Sequence, residues 1–228
     1  TRGDFWVIDL QTWQMKKLGG EKAESLLMFA KFSPQGDRVG YVKENNLYVE
    51  DLASGAIVQL THDGSKITIN GTFDWVYEEE WAARDGFRWS PDGNLIAYWQ
   101  LDASGVRDFF LINNTDSLYP YITPVQYPKV GTTLSMCRVG VVSAKGGTTR
   151  WFDVPGDPRN NYIPRMEWAA NSKEVALQQF NRLQNVDRLM LGDVQNGTLR
   201  TIVTETDSTW VEVVDDLEWF DGGRNFTW

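Results

Sequence analysis

Trp89-Ser90-Pro91-Asp92-Gly93-Asn94, followed at once by Leu95-Ile96-Ala97-Tyr98, is the stretch that decides the fold. It reads as an aromatic residue, a tight turn and an apolar strand. Pro fixes φ, Asp bonds its own backbone, and Gly accepts positive φ. The same pattern stands at Phe32-Ser33-Pro34-Gln35-Gly36-Asp37 before Val39-Gly40-Tyr41-Val42. Weaker copies stand at Trp168-Ala169-Ala170-Asn171-Ser172-Lys173 before Val175-Ala176-Leu177, and at Trp219-Phe220-Asp221-Gly222-Gly223-Arg224. A second pattern interleaves with it: an apolar strand, an Asp and a turn, at Val7-Ile8-Asp9-Leu10, Tyr48 to Gly55 and Met190 to Gly197. Together they give four short strands per unit of about 45–55 residues, the signature of a β-propeller blade. Many short strands would also suit a sandwich, but the repeat argues against it.

Counting strands over 1–228 predicts an all-β, incomplete propeller of three whole four-stranded blades and two half-blades. Residues 1–18 finish one blade, 19–60 form the next, 61–155 a blade with two insertions, 156–204 another, and 205–228 begin a last one. Both ends read as cut through a blade, which predicts a piece of a longer chain whose bared blade faces seek a partner.

Composition narrows the function. Hydrophobic residues make up 42%, enough for a packed core. The net charge is −9, so the surface repels phosphate and a nucleic-acid partner is not expected. Cys137 is the one cysteine and His62 the one histidine, which rules out an intrachain disulfide and a multi-His or thiolate metal site. His62 lies in a Thr61-His62-Asp63-Gly64 turn and reads as a surface residue. No apolar run reaches the roughly 20 residues that span a bilayer. No cofactor or metal is expected.

The insertions carry the rest. The first, between Leu60 and Phe87, holds Asp74-Trp75-Val76-Tyr77-Glu78-Glu79-Glu80-Trp81. Asp74 suits a helix N-cap, and one or two helical turns follow. Two readings of the glutamates stand on the residues alone. Carboxylates in a first helical turn complement the helix dipole and need no ligand. Alternatively, neighbouring carboxylates about 100° apart converge on one cation, with Trp75, Tyr77 and Trp81 excluding water. The second insertion, between Leu101 and Val141, is extended, apolar and Pro-rich from Phe109 to Tyr127, and residues 133–137 fit no pattern. On the residues alone it reads as a hairpin folded back on its blade.

The run from Asp74 to Glu80 resembles the double-glutamate motif of the dipeptidyl peptidase IV family of serine peptidases. Asn46-Leu47-Tyr48-Val49, Trp89 to Gly93, Tyr127-Pro128-Lys129-Val130-Gly131 and Arg182-Leu183-Gln184-Asn185 resemble family segments in the same order. The resemblance implies an eight-bladed propeller joined to an α/β-hydrolase domain that carries Ser, Asp and His. It implies a peptidase that releases N-terminal dipeptides with Pro or Ala in second position. It assigns Glu79 and Glu80 to the substrate's free α-amine and gives Glu78 a supporting role. Nothing in the chain matches a Gly-x-Ser-x-Gly nucleophile elbow, so the hydrolase domain is expected elsewhere in a parent chain and the piece alone is expected to be inactive. The expected partners are peptides with a free N-terminus, that hydrolase domain, and a second copy through the Phe109 to Gln126 arm. The resemblance also implies a bacterial protein of the periplasm, or a secreted one. Two alternatives remain: a prolyl oligopeptidase or acylaminoacyl peptidase propeller acting as a size filter, and a non-enzymatic protein-binding scaffold. Neither accounts for the glutamates.

Overall fold

The computed structural model describes residues 2–20 and 26–228. Residues 1 and 21–25, the latter near the expected join of the first two blades, lie outside the described residues.

Strands β1 (Trp6–Ile8) and β2 (Met15–Lys17) form a hairpin. Strands β3 (Leu27–Phe32), β4 (Arg38–Lys43), β5 (Asn46–Asp51) and β6 (Ile57–Gln59) make a four-stranded antiparallel meander. The next sheet holds β7 (Thr68–Asn70), β8 (Phe87–Trp89), β9 (Leu95–Asp102), β12 (Met136–Ser143) and β13 (Arg150–Trp151). Helix α1 (Trp75–Glu80) and a separate hairpin, β10 (Asp108–Asn113) with β11 (Tyr121–Gln126), interrupt it. A second meander follows, β14 (Asn161–Trp168), β15 (Glu174–Asn181), β16 (Val186–Asp193) and β17 (Leu199–Thr206). The hairpin of β18 (Glu218–Phe220) and β19 (Asn225–Thr227) comes last. Three whole blades and two half-blades thus make an incomplete propeller. Among the described residues no helix is long and apolar enough to cross a membrane.

The repeated turns share one chemistry. Ser33 Oγ accepts from Arg38 N and donates to Asp37, and Ser90 Oγ accepts from Leu95 N and donates to Asp92. Gly36 and Gly93 take φ of +74° and +67°. In the third copy Ala169 stands at the serine position, and Asn171, at the position of Asp92, takes over the serine's bond as well, its Oδ1 accepting from Lys173 N and Glu174 N.

The core lies between successive sheets, as a propeller requires. Val42, Leu47 and Val49 of the first blade meet Phe87, Ile96 and Tyr98 of the second. Trp99, Leu101 and Val139 of the second meet Ile163, Met166 and Leu177 of the third. Leu189 and Leu191 meet Trp219 and Phe226 of the last hairpin. Full burial of side chains this size contributes about 1.5–3 kcal/mol each.

Charges stitch the first strands together. Lys31 on β3 pairs with Asp85 at 3.1 Å and bonds the Phe87 carbonyl, Arg88 on β8 pairs with Asp85 and with Glu167 on β14 at 2.7 Å, and Arg165 on β14 pairs with Asp215 at 2.5 Å. Burial lowers the Lys31 ammonium to about 8, against the pull of Asp85.

Candidate functional site

The middle blade has four strand positions, with the first one broken. β7 pairs with Gln100–Asp102 and β8 with Ile96–Tyr98, so both lie along the same edge of β9. Trp99 between them receives Gly71 N at its carbonyl and donates its own N–H to Gly86 O, both at 3.0 Å. Gly86 N in turn donates to Gly71 O at 2.8 Å. The first insertion therefore leaves and rejoins its strand at one point, and the ladder continues on either side.

Helix α1 rises from this pinch. Asp74 caps it, accepting from Tyr77 N at 3.1 Å, and its other oxygen accepts from Ser135 Oγ at 2.7 Å. Burial raises the Asp74 carboxyl above the usual carboxylate range, against the lowering effect of those two bonds. Tyr77 is buried, stacks on Phe73 at 5.3 Å, and its hydroxyl accepts from Ile163 N at 3.0 Å. Trp99 Nε1 donates to Ile163 O at 2.8 Å. Ile163 lies in a register shift of β14 between Tyr162 and Arg165, which frees its backbone groups from the ladder. The insertion thus plugs into an irregularity of the next blade. Trp81 is also buried, against Tyr162 and Phe180. Tyr77 and Trp81 therefore anchor the helix, a role the sequence did not suggest.

All three glutamates are exposed. Glu78 belongs to the first turn, and its Oε1 lies 3.7 Å from Arg84 Nε. The dipole-complementing reading therefore suits Glu78. It does not suit Glu79 and Glu80, which stand at the C-terminal end where a carboxylate opposes the dipole and where the helix carries no basic residue. Among the described residues neither carboxylate has a hydrogen-bond or ion-pair partner. Glu80 lines a cavity of about 340 Å³ with Trp75, Trp81, Tyr127, Tyr162 and Arg182. Glu79 does not line it. The structure thus brings Glu80 together with an aromatic-walled cavity and leaves Glu79 beside it on the helix surface.

Sequence reasoning missed several residues here. Ser135 falls in the unpatterned stretch 133–137 yet bonds the helix cap. Arg165 Nη1 donates to the Trp81 carbonyl at 2.9 Å. Arg182 faces the cavity while Nη2 donates to Thr132 O at 2.6 Å. Their partners lie about 50 to 84 residues away in the chain, and no local spacing signals such pairs.

The second insertion stands apart from its blade's sheet. The β10–β11 hairpin is a two-stranded sheet of its own, with Phe110, Ile112, Leu118 and Ile122 exposed. The folded-back alternative does not hold. Its base reaches the helix, where Tyr127 packs on Trp75 with ring centroids 4.3 Å apart.

Propeller blades, a glutamate-tipped helix inserted into a first strand and a projecting apolar hairpin define the class: a β-propeller with two insertions in one blade. Comparison with known proteins agrees. The family model described as "Dipeptidyl peptidase IV (DPP IV) N-terminal region" matches residues 1–228, and the chain belongs to that family. It is 31% identical over 227 residues to a probable dipeptidyl-aminopeptidase B of Neurospora crassa, covering 92% of this chain and 24% of that one. A counterpart from Sordaria macrospora is 30% identical over the same share. Among solved structures, Porphyromonas gingivalis dipeptidyl peptidase 4 superposes with a TM-score of 0.90 at 28% identity, covering 97% of this chain and 32% of that one. A putative dipeptidyl aminopeptidase IV of Bacteroides ovatus gives 0.75 at 25%, covering 92% and 28%. The chain spans about a quarter of the length of the curated relatives it matches.

Proposed function

We propose that this chain is the substrate-recognition part of a serine dipeptidyl peptidase, and that Glu79 and Glu80 hold the α-ammonium of the substrate. The observation that carries this is a pair of unpartnered carboxylates at the unfavourable end of a helix that is otherwise anchored by buried aromatics. A cation that pairs with them offsets both their mutual repulsion and the opposing helix dipole. A peptide α-amine, with a pKa of about 7.7–8.0, is largely charged at neutral pH and fits that need. Glu78, already beside Arg84, acts in support. Fixing the amine fixes how far the peptide reaches toward a catalytic serine, and so sets release at the second residue.

The serine, aspartate and histidine belong in this reading to a hydrolase domain of the parent chain. The substrates are peptides with Pro or Ala in second position, as the family resemblance implies. The same reading gives the parent protein a periplasmic or extracellular home. It also makes the exposed Phe109 to Gln126 hairpin the contact for a second copy.

The test is kinetic. Glu79→Ala or Glu80→Ala in the full-length enzyme is expected to lower kcat/KM by about 30-fold or more, from the roughly 2–5 kcal/mol lost when one partner of a charged contact that the bound peptide encloses is removed. A value within twofold of the parent for either variant would sink the amine reading.

A further inference from the structure

The end of α1 poses a physical problem that the helix does not solve itself. Glu79 and Glu80 are its last two residues, the C-terminal carbonyls lack helical donors, and no basic residue of the helix lies there. The chain then turns through Trp81, at φ −116°, and Ala82, in left-handed backbone at φ +50°. A six-residue helix has little cooperativity of its own with which to hold such an end.

One cap is local, Ala83 N donating to Tyr77 O at 3.0 Å, and a side-chain donor comes from the next blade. Arg165 Nη1 donates to the carbonyl of Trp81, the residue directly after Glu80, at 2.9 Å, and to Pro164 O at 2.9 Å. Its Nε donates to Asp215 Oδ1 at 2.5 Å, which aims the guanidinium. Arg165 follows the register shift of β14 that also offers Ile163 N to the Tyr77 hydroxyl. One irregular stretch thus grips the insertion twice, through the middle of the helix and at its end. The guanidinium adds a positive charge at the negative end of the helix, on the carbonyl that directly follows Glu80.

We propose that Arg165 is a positioning residue for Glu79 and Glu80: it fixes the C-terminal end of α1 through the Trp81 carbonyl and is itself aligned by Asp215. The inference rests on the reading of the two glutamates as the amine site. It adds that their geometry depends on a cation supplied by the neighbouring blade. Arg165 touches no substrate in this account and acts only through the backbone that carries Glu80.

The experiment uses the full-length peptidase with Arg165→Ala, Arg165→Lys and Glu80→Ala side by side. Two rates are read: kcat and KM on an unblocked Ala-Pro chromogenic substrate, and the labelling rate of the catalytic serine by a fluorophosphonate that has no amine. Arg165→Ala is expected to lower kcat/KM by about tenfold or more, mainly through KM, with labelling within about twofold of the parent. Arg165→Lys, which keeps the charge and one donor, should recover most of the loss. A full loss in Glu80→Ala beside an unchanged KM in Arg165→Ala overturns the proposal and leaves the amine reading standing. Labelling that falls in parallel with turnover also overturns it, since that marks general damage. A silent Glu80→Ala overturns the amine reading and this proposal with it.

Discussion

Gly71 and Gly86 meet where the first insertion leaves and rejoins its strand, and each is glycine for a different reason. Gly71 has φ +72°, and a Cβ there would lie 2.6 Å from Leu47 Cδ2. Gly86 has an ordinary φ, but its Cβ would lie 2.6 Å from the Gly71 carbonyl carbon, which is backbone and cannot swing aside. Gly36, in the first repeated turn, has φ +74° with open space around it. Alanine at Gly36 therefore carries only the conformational penalty, about 1 kcal/mol. Alanine at Gly71, which adds a clash with the Leu47 side chain to the same penalty, or at Gly86, where the backbone must shift, is expected to cost more, about 2–3 kcal/mol. Denaturant unfolding of the three variants checks the order, and equal losses at Gly36 and Gly86 would refute the pinch. Cys137 provides a second test at this scale. It is buried, and burial pushes its thiol up to about 12. Native protein is expected to leave it unmodified by a thiol reagent at neutral pH, with full reaction only on unfolding.

At the level of elements, the seam between β16, β17 and the last hairpin holds an unusual group. Asp187 on β16 is fully buried, and neither carboxylate oxygen has a hydrogen-bond partner. Its cross-strand neighbour on β17 is Glu205, whose Oε1 accepts from Trp228 Nε1 at 2.7 Å. Burial first, and Glu205 second, push the Asp187 carboxyl up to about 7. An unfolded aspartate titrates near 3.9. Between about pH 4 and about pH 7 the folded state holds a proton that the unfolded chain has lost, so this group's contribution to stability falls as pH rises through that window. Asp187→Asn is expected to raise Tm at pH 8 by about 2 °C or more and to change it little at pH 4. Equal shifts at both values, measured by calorimetry, would contradict the assignment. Nothing in the sequence marks Asp187, which looks like any polar residue at the start of a strand. The repeated turns were legible for the opposite reason: Ser90, Pro91, Asp92 and Gly93 do their work within six residues of chain. The helix was legible from Asp74 and its length, but not its direction of charge. That depended on where it ends, which Ala82 and Arg165 decide.

On the scale of the whole molecule, apolar faces of successive blades cover one another, whereas the β10–β11 hairpin leaves Phe110, Ile112 and Ile122 in solvent. Replacing Phe110 and Ile112 with serine is expected to shift the full-length protein toward monomer in sedimentation velocity without lowering Tm, because neither side chain is part of a core. An unchanged mass distribution would remove the hairpin as the contact between copies. The central claim concerns Glu79 and Glu80, and a thermodynamic cycle tests it most directly. The full-length enzyme and its Glu79→Gln, Glu80→Gln double variant are each assayed on one Ala-Pro substrate, with the amine free and with it acetylated. Acetylation is predicted to cost the parent about 30-fold or more in kcat/KM and the double variant less than about threefold, because the variant has no amine contact left to lose. An acetylation penalty of the same size in both proteins would contradict the account.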